Sequence, residues 1–148
     1  MTQRFRIDRT IPEGYKAVMA LETHVRSTLD RTLYELVKLR ASIINGCAFC
    51  VDMHGTDLHA SGEDPRRVLA VAAWREAPYF SPAERAALAL TDAVTRLGDH
   101  GVPDEVWAEA VEHHGEQTAA NLTLAVATIN VWNRLSITAG NQPPALAA

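Results

Sequence analysis

Residues 116–138 run for roughly six helical turns with no glycine or proline, and their side chains are apolar almost all round. A helix of that kind cannot lie flat on a water-exposed surface. It must sit at the centre of a domain or be shared with another subunit. A homo-oligomer (dimer, trimer or hexamer) is therefore expected.

The rest of the chain also reads as helix and tight turn. Pro12 opens a helix over residues 12–24, and Asp30 caps a second with Leu33, Leu36, Val37, Arg40 and Ile44 at helical spacing. Asn45-Gly46 stops it, because both residues accept the left-handed conformation found at helix C-termini. A third helix covers residues 47–60, and Gly62 with Asp64-Pro65 breaks it. A fourth spans 65–76. Ser81-Pro82-Ala83-Glu84 is a cap followed by proline at the first helical position, and it opens a fifth to Leu97. Pro103 opens a sixth to His114, and Gly115 separates that from the long last one. No segment alternates with period two. The expected fold is all-α, about seven helices in one domain over residues 1–140, with a flexible tail at 141–148.

Composition excludes several functions. A formal charge of −4 and no basic stripe argue against nucleic acid as a partner. No stretch supplies the roughly 20 clean apolar residues of a membrane span. MTQRFRIDRT lacks the apolar core of a signal peptide, so a cytoplasmic location is expected. In that reducing setting, two cysteines three positions apart point to catalysis or metal rather than a structural staple.

On a helix, Cys47, Cys50 and His54 fall within roughly 60° of one another. A Cys pair at i, i+3 has Cα atoms about 5 Å apart, within disulfide range. The Gly46-Cys47 junction places the pair in the first turn, where free N–H groups and the helix dipole favour a thiolate. His54, at i+4 from Cys50, can exchange a proton with it. Two-step thiol chemistry needs these parts: a thiolate to attack, a second sulfur to resolve the product, and a base. If the second and third helices form an antiparallel hairpin about Asn45-Gly46, Glu35 reaches the level of His54. A partly buried Glu35 could then orient the imidazole.

The run Glu35-Leu-Val-Lys-Leu-Arg-Ala-Ser-Ile-Ile-Asn-Gly-Cys47-Ala-Phe-Cys50-Val-Asp-Met-His54 closely resembles the core motif of the alkylhydroperoxidase D / carboxymuconolactone decarboxylase superfamily. Weaker echoes lie at Trp74-Arg75-Glu76, Glu84 to Leu88 and Ile129 to Leu135. The resemblance implies an all-helical, oligomeric alkylhydroperoxidase D-like fold and reduction of a small hydroperoxide by a thiol-dependent peroxidase. It also implies re-reduction by a dithiol or thioredoxin-like partner, with no cofactor and no metal. Cys50 would be the attacking thiol, Cys47 the resolving one, and Glu35 with His54 the proton relay. The helix dipole alone would favour Cys47, whereas His54 at i+4 favours Cys50, and Cys50 is preferred. One position departs from the best-known peroxidase members, which carry a histidine where this chain has Phe49.

Three other readings compete. The fold could serve a non-peroxidatic disulfide oxidoreductase, a non-redox binding or assembly protein, or a lactone decarboxylase, although the decarboxylase branch lacks the cysteine pair. A zinc site of the two cysteines, His54 and Glu35 is chemically reasonable but has no further supporting ligand. Trp74, Trp107 and Trp132 read as core or subunit contacts, and Asn130 and Asn133 as satisfied hydrogen-bonding groups.

Overall fold

The computed structural model describes residues 2–146, and it is all-helical across them. Its eight α-helices are α1 (Ile7–Thr10), α2 (Pro12–Thr28), α3 (Arg31–Asn45), α4 (Ala48–Ala60), α5 (Pro65–Ala70), α6 (Pro82–Arg96), α7 (Asp104–His114) and α8 (Glu116–Ala139). The structure departs from the expected helices at three places. The helix begun at Pro65 tightens after Ala70 into a single 3-10 turn, Val71–Ala73, and does not reach Glu76. A short additional helix, α1, precedes Pro12, and α2 continues past His24 to Thr28. Ala147 and Ala148, the end of the expected tail, lie outside the described residues.

The start signals work as their chemistry requires. Asp30 accepts from the Leu33 N–H at 3.0 Å. Ser81 and Glu84 close a reciprocal capping box at 3.2 and 2.8 Å. Gly46 ends α3 in the left-handed region, at φ +68°, and turns the chain directly into α4.

The most enclosed helix is α3, not only α8. Every residue from Leu33 to Ser42 is buried, because α4, α6 and α8 pack around α3. α8 packs on α2, α3, α6 and α7, as its apolar girth requires, but leaves Val131 and Ile137 about two-fifths exposed. One apolar cluster joins α2, α3, α6, α7 and α8 around Val25, Val37, Leu90 and Leu122. A second lies around Leu36, Leu58, Trp74 and Leu88. The small third cluster, Ala41, Cys47, Cys50 and Ile129, is flanked by Phe49 and Trp132.

Enclosing α3 buries three of its charges, and each finds a partner on a different helix. Glu35 meets His54 of α4. Lys38 meets Glu22 of α2. Arg40 meets Asp92 of α6 at 2.6 Å and also donates to the carbonyls of Val71 and Ala72. Burial pushes the Asp92 carboxyl up, but hydrogen bonds from Arg40 and Arg75 overcome it and hold the group below its ordinary range. The N-terminal segment closes over the far end of α8: the Arg4 N–H donates to the Ala139 carbonyl at 2.7 Å. Gly140 beside it is left-handed at φ +76°, and a Cβ there would lie 2.7 Å from the Thr2 carbonyl oxygen.

Asp92→Ala leaves the Arg40 guanidinium buried without its counter-charge and is expected to cost about 3–5 kcal/mol. Arg75→Ala, which removes a half-exposed partner of the same carboxylate, should cost about 1 kcal/mol or less. Denaturant melts of the two variants check this, and equal losses would contradict it.

Candidate active site

The hairpin of α3 and α4 brings together the four residues singled out from the sequence. Gly46 reverses the chain, so residues before and after it meet level by level. Glu35 Oε2 lies 2.8 Å from His54 Nδ1. Glu35 is 1% exposed and His54 4%, so Glu35 is fully rather than partly buried. With Nδ1 engaged by the carboxylate, His54 Nε2 is left buried with no protein partner. His54 also lines the cavity described below.

Cys47 is the N-cap of α4, and Cys50 stands at its third helical position. Both thiols are free and 1% exposed. They behave as one unit. The Cys50 S–H hydrogen-bonds to Cys47 and draws its thiol down to about 7. Burial opposes this, and the nearby Cys50 N–H and the Asn133 side chain assist it. The same hydrogen bond pushes the Cys50 thiol up, as do burial and the charge on Cys47, while Asn133 and Ser136 pull it back. The pair therefore loses one proton near neutrality and holds the second strongly.

A cavity of about 790 Å³ opens on this site. Cys50, His54 and Glu35 line it, whereas Cys47 is packed behind them. Its apolar wall includes Phe49, Met53, Ile129 and Trp132, with Tyr15 and Met19 contributed by α2. Trp132 packs edge-on against Tyr15, with ring centroids 5.8 Å apart. The polar part of the lining centres on Glu22, which accepts from Tyr34, Lys38 and, at 2.8 Å, from Trp132 Nε1. Gln3, Arg6, Ile7 and Asp8 of the N-terminal segment and Asn141 and Gln142 after α8 complete the rim.

Several of these residues escape a sequence reading. Asn133 is satisfied, as expected, by donating to Ser42 and accepting from Asn45, but it also stands beside both sulfurs. Trp132 is a cavity wall rather than simple core, and Trp107 is about one-third exposed. Glu22 and Trp132 lie far from the motif in the chain, so no spacing announces them. Lys38 had a signal, being at i+3 from Glu35 on the same face of α3. Among the described residues, no three His, Cys, Asp or Glu side chains are placed to hold a metal ion. None of the described helices is long and apolar enough to cross a membrane.

A profile of the carboxymuconolactone decarboxylase family matches residues 12–93. The chain belongs to that family. It is 41% identical to YdfG, an uncharacterised protein of Bacillus subtilis (strain 168), over 96% of this chain and 97% of the relative. A crystal structure of an Agrobacterium tumefaciens protein of unknown function, with a suggested antioxidant-defence role of the AhpD type, superposes with a TM-score of 0.95. That pair is 39% identical over 98% of this chain and 100% of the other. The AhpD core of a peroxidase-related protein from Ralstonia eutropha JMP134 has the same fold at a TM-score of 0.81, 24% identical over 90% of this chain and 72% of the other. The superfamily and the alkylhydroperoxidase D-like fold expected from the motif are thus established for this chain.

If the thiols titrate as one unit, alkylation of the native protein by iodoacetamide should accelerate through a midpoint near 7. In Cys47→Ala or Cys50→Ala the pair is broken, and the protein's alkylation midpoint should move upward from that of the pair toward that of a free cysteine, about 8.5. A midpoint unmoved in both variants would contradict the coupling.

Proposed function

We propose that the protein is a thiol-dependent peroxidase of the alkylhydroperoxidase type that reduces organic hydroperoxides through a Cys50/Cys47 dithiol–disulfide cycle. The observation that carries this reading is the shared cavity. Cys50, His54 (whose Nε2 has no protein partner) and an apolar wall all line the same cavity. The family relationship supports a peroxidase-related role, and the Agrobacterium relative carries a suggested antioxidant one.

In the first step the Cys50 thiolate attacks the terminal peroxide oxygen. The O–O bond breaks, an S–O bond forms, and the alkoxide takes a proton to leave as alcohol. Cys50 is then a sulfenic acid. In the second step the Cys47 thiolate attacks the Cys50 sulfur and expels hydroxide, which is protonated to water. The resulting disulfide is returned to two thiols by an external dithiol, which is itself oxidised to a disulfide. His54 Nε2 accepts the Cys50 proton and returns it to the leaving oxygen, while Glu35 fixes the ring and balances its charge.

Charge and access pull apart at the two sulfurs. The hydrogen bond between them favours the charge on Cys47, but only Cys50 lines the cavity. Access decides. A proton crosses one hydrogen bond readily, whereas a sulfur packed behind its neighbour cannot meet a substrate. The cavity volume also exceeds what hydrogen peroxide needs and falls within the range of small-molecule sites. Phe49, where the best-known peroxidase members carry a histidine, adds apolar surface beside Cys50 and leaves His54 as the base nearest the pair in sequence.

Steady-state consumption of cumene hydroperoxide with dithiothreitol as reductant tests the reading. Cys50→Ser and Cys47→Ser should each abolish turnover. His54→Gln and Glu35→Gln should lower it about 100-fold or more, the usual scale for losing a general acid–base. Full activity in both cysteine variants would overturn the mechanism. Activity that survives loss of both sulfurs on a lactone substrate would favour decarboxylation instead.

A further inference from the structure

The buried positions of α8 are aliphatic, small or short polar residues, and Trp132 is the one aromatic side chain on that helix. It follows Ile129 by three residues and precedes Ser136 by four, so the three form one stripe, and all of them line the cavity. Trp132 and Phe49 also pack against the small cluster of Ala41, Cys47, Cys50 and Ile129. The indole therefore stands at the cysteine end of the cavity rather than out at its rim.

Two contacts hold it there. Its Nε1–H donates to Glu22 Oε2 at 2.8 Å. Its ring meets Tyr15 with centroids 5.8 Å apart and planes inclined at 66°. The Glu22 carboxylate is itself fixed, because its other oxygen accepts from Tyr34 and Lys38, both buried on α3. Burial pushes the Glu22 carboxyl up, but the Lys38 charge and the bonds from Lys38, Tyr34 and Trp132 outweigh it and hold the group below its ordinary range. α3 thus steadies Glu22 of α2, and α2 steadies Trp132 of α8. A wall set before the ligand arrives costs the ligand no further ordering.

We propose that Trp132 is the specificity-determining residue of this site, a fixed aromatic wall that selects hydroperoxides carrying an aromatic body. Cys50 must reach the terminal peroxide oxygen, so the group attached to the O–O bond lies only a few bonds from the sulfur. That is where Trp132 and Phe49 stand. Hydrogen peroxide has no body to place against them. A flexible alkyl chain buries apolar area there but gives up rotamer freedom. A flat ring gives up little and gains stacked or edge-to-face contact with the indole. Glu22 offers no competing polar contact, since both of its oxygens are already taken.

This inference rests on the peroxidase reading above for the identity of its substrate, and its first readout uses no peroxide. Protection of the native thiols from iodoacetamide reports what fills the cavity beside Cys50. The probes are cumyl alcohol, its analogue with a hexyl chain in place of the ring, and tert-butanol. Apolar area alone favours the hexyl analogue, so a preference for the ring isolates the aromatic wall. Cumyl alcohol should half-protect wild type at a concentration at least about threefold below that of the hexyl analogue, the scale of one aromatic pair. Tert-butanol should protect least. In Trp132→Leu the wall stays apolar but is no longer aromatic, and the ring preference should disappear; Trp132→Phe should keep most of it. Where Trp132→Leu fails to fold, Tyr15→Leu removes the ring packed on the indole and should weaken the same preference. With peroxides, the ratio of kcat/KM for cumene hydroperoxide to that for hydrogen peroxide should fall at least about threefold in Trp132→Leu, mainly through KM. Wild type protected equally by ring and chain, or by neither, would overturn the proposal. So would a folded Trp132→Leu that keeps the ring preference. A ring preference without peroxide turnover would remove the peroxidase reading and leave Trp132 as the selector of an aromatic ligand.

Discussion

Three buried charges on one helix organise this molecule. Glu35, Lys38 and Arg40 are all buried on α3, and each is met by a counter-charge or hydrogen-bonding partner from a different helix. A charge taken out of water destabilises a fold by several kcal/mol unless it is paired with good geometry. α4, α2 and α6 can therefore occupy only positions that deliver His54, Glu22 and Asp92 to α3. The apolar clusters supply the drive to collapse, and the ionic partners fix where each helix sits. Two of the three pairs also line the cavity, so the constraint that places the helices builds the site as well.

The site follows from that arrangement. α3 and α4 are joined through a single left-handed glycine, which sets Glu35 and His54 level with one another and leaves the cysteines near the turn. The turn is also the N-terminus of α4, so the pair sits where N–H groups are unpaired and a thiolate is stabilised. α8 then covers the sulfurs with Asn133 and Ser136 and carries Trp132 into the cavity wall. Chemistry placed on one short hairpin thus depends on residues from opposite ends of the chain.

Much of this was legible in the sequence. The caps at Asp30 and Ser81, the stop at Gly46 and the girth of the last helix all gave elements where they stand. The level of Glu35 with His54 followed from counting residues on either side of the turn. The centre of the fold was harder to read. With Glu, Lys and Arg among its residues, α3 resembles a half-exposed helix, because single-sequence periodicity treats charge as a sign of solvent. Pairing reverses that inference, and pairing with Glu22 or Asp92 is a long-range property no local pattern carries. The cavity escaped for the same reason. Beyond the motif's own hairpin, its walls come from the N-terminal segment and α2 on one side and from α8 on the other, more than a hundred residues further along the chain, whereas the motif lies within twenty.

The central claim is that Cys50 meets the oxidant and Cys47 resolves it. Exposing Cys47→Ser to one equivalent of cumene hydroperoxide in the presence of dimedone, followed by peptide mass spectrometry, tests it most directly. The account predicts a dimedone adduct on Cys50. In the reciprocal Cys50→Ser protein, Cys47 should be labelled at least tenfold more slowly, reflecting its place behind the cavity wall. Equal or faster labelling of Cys47 in that reciprocal variant, or no labelling of Cys50 at all, would contradict it.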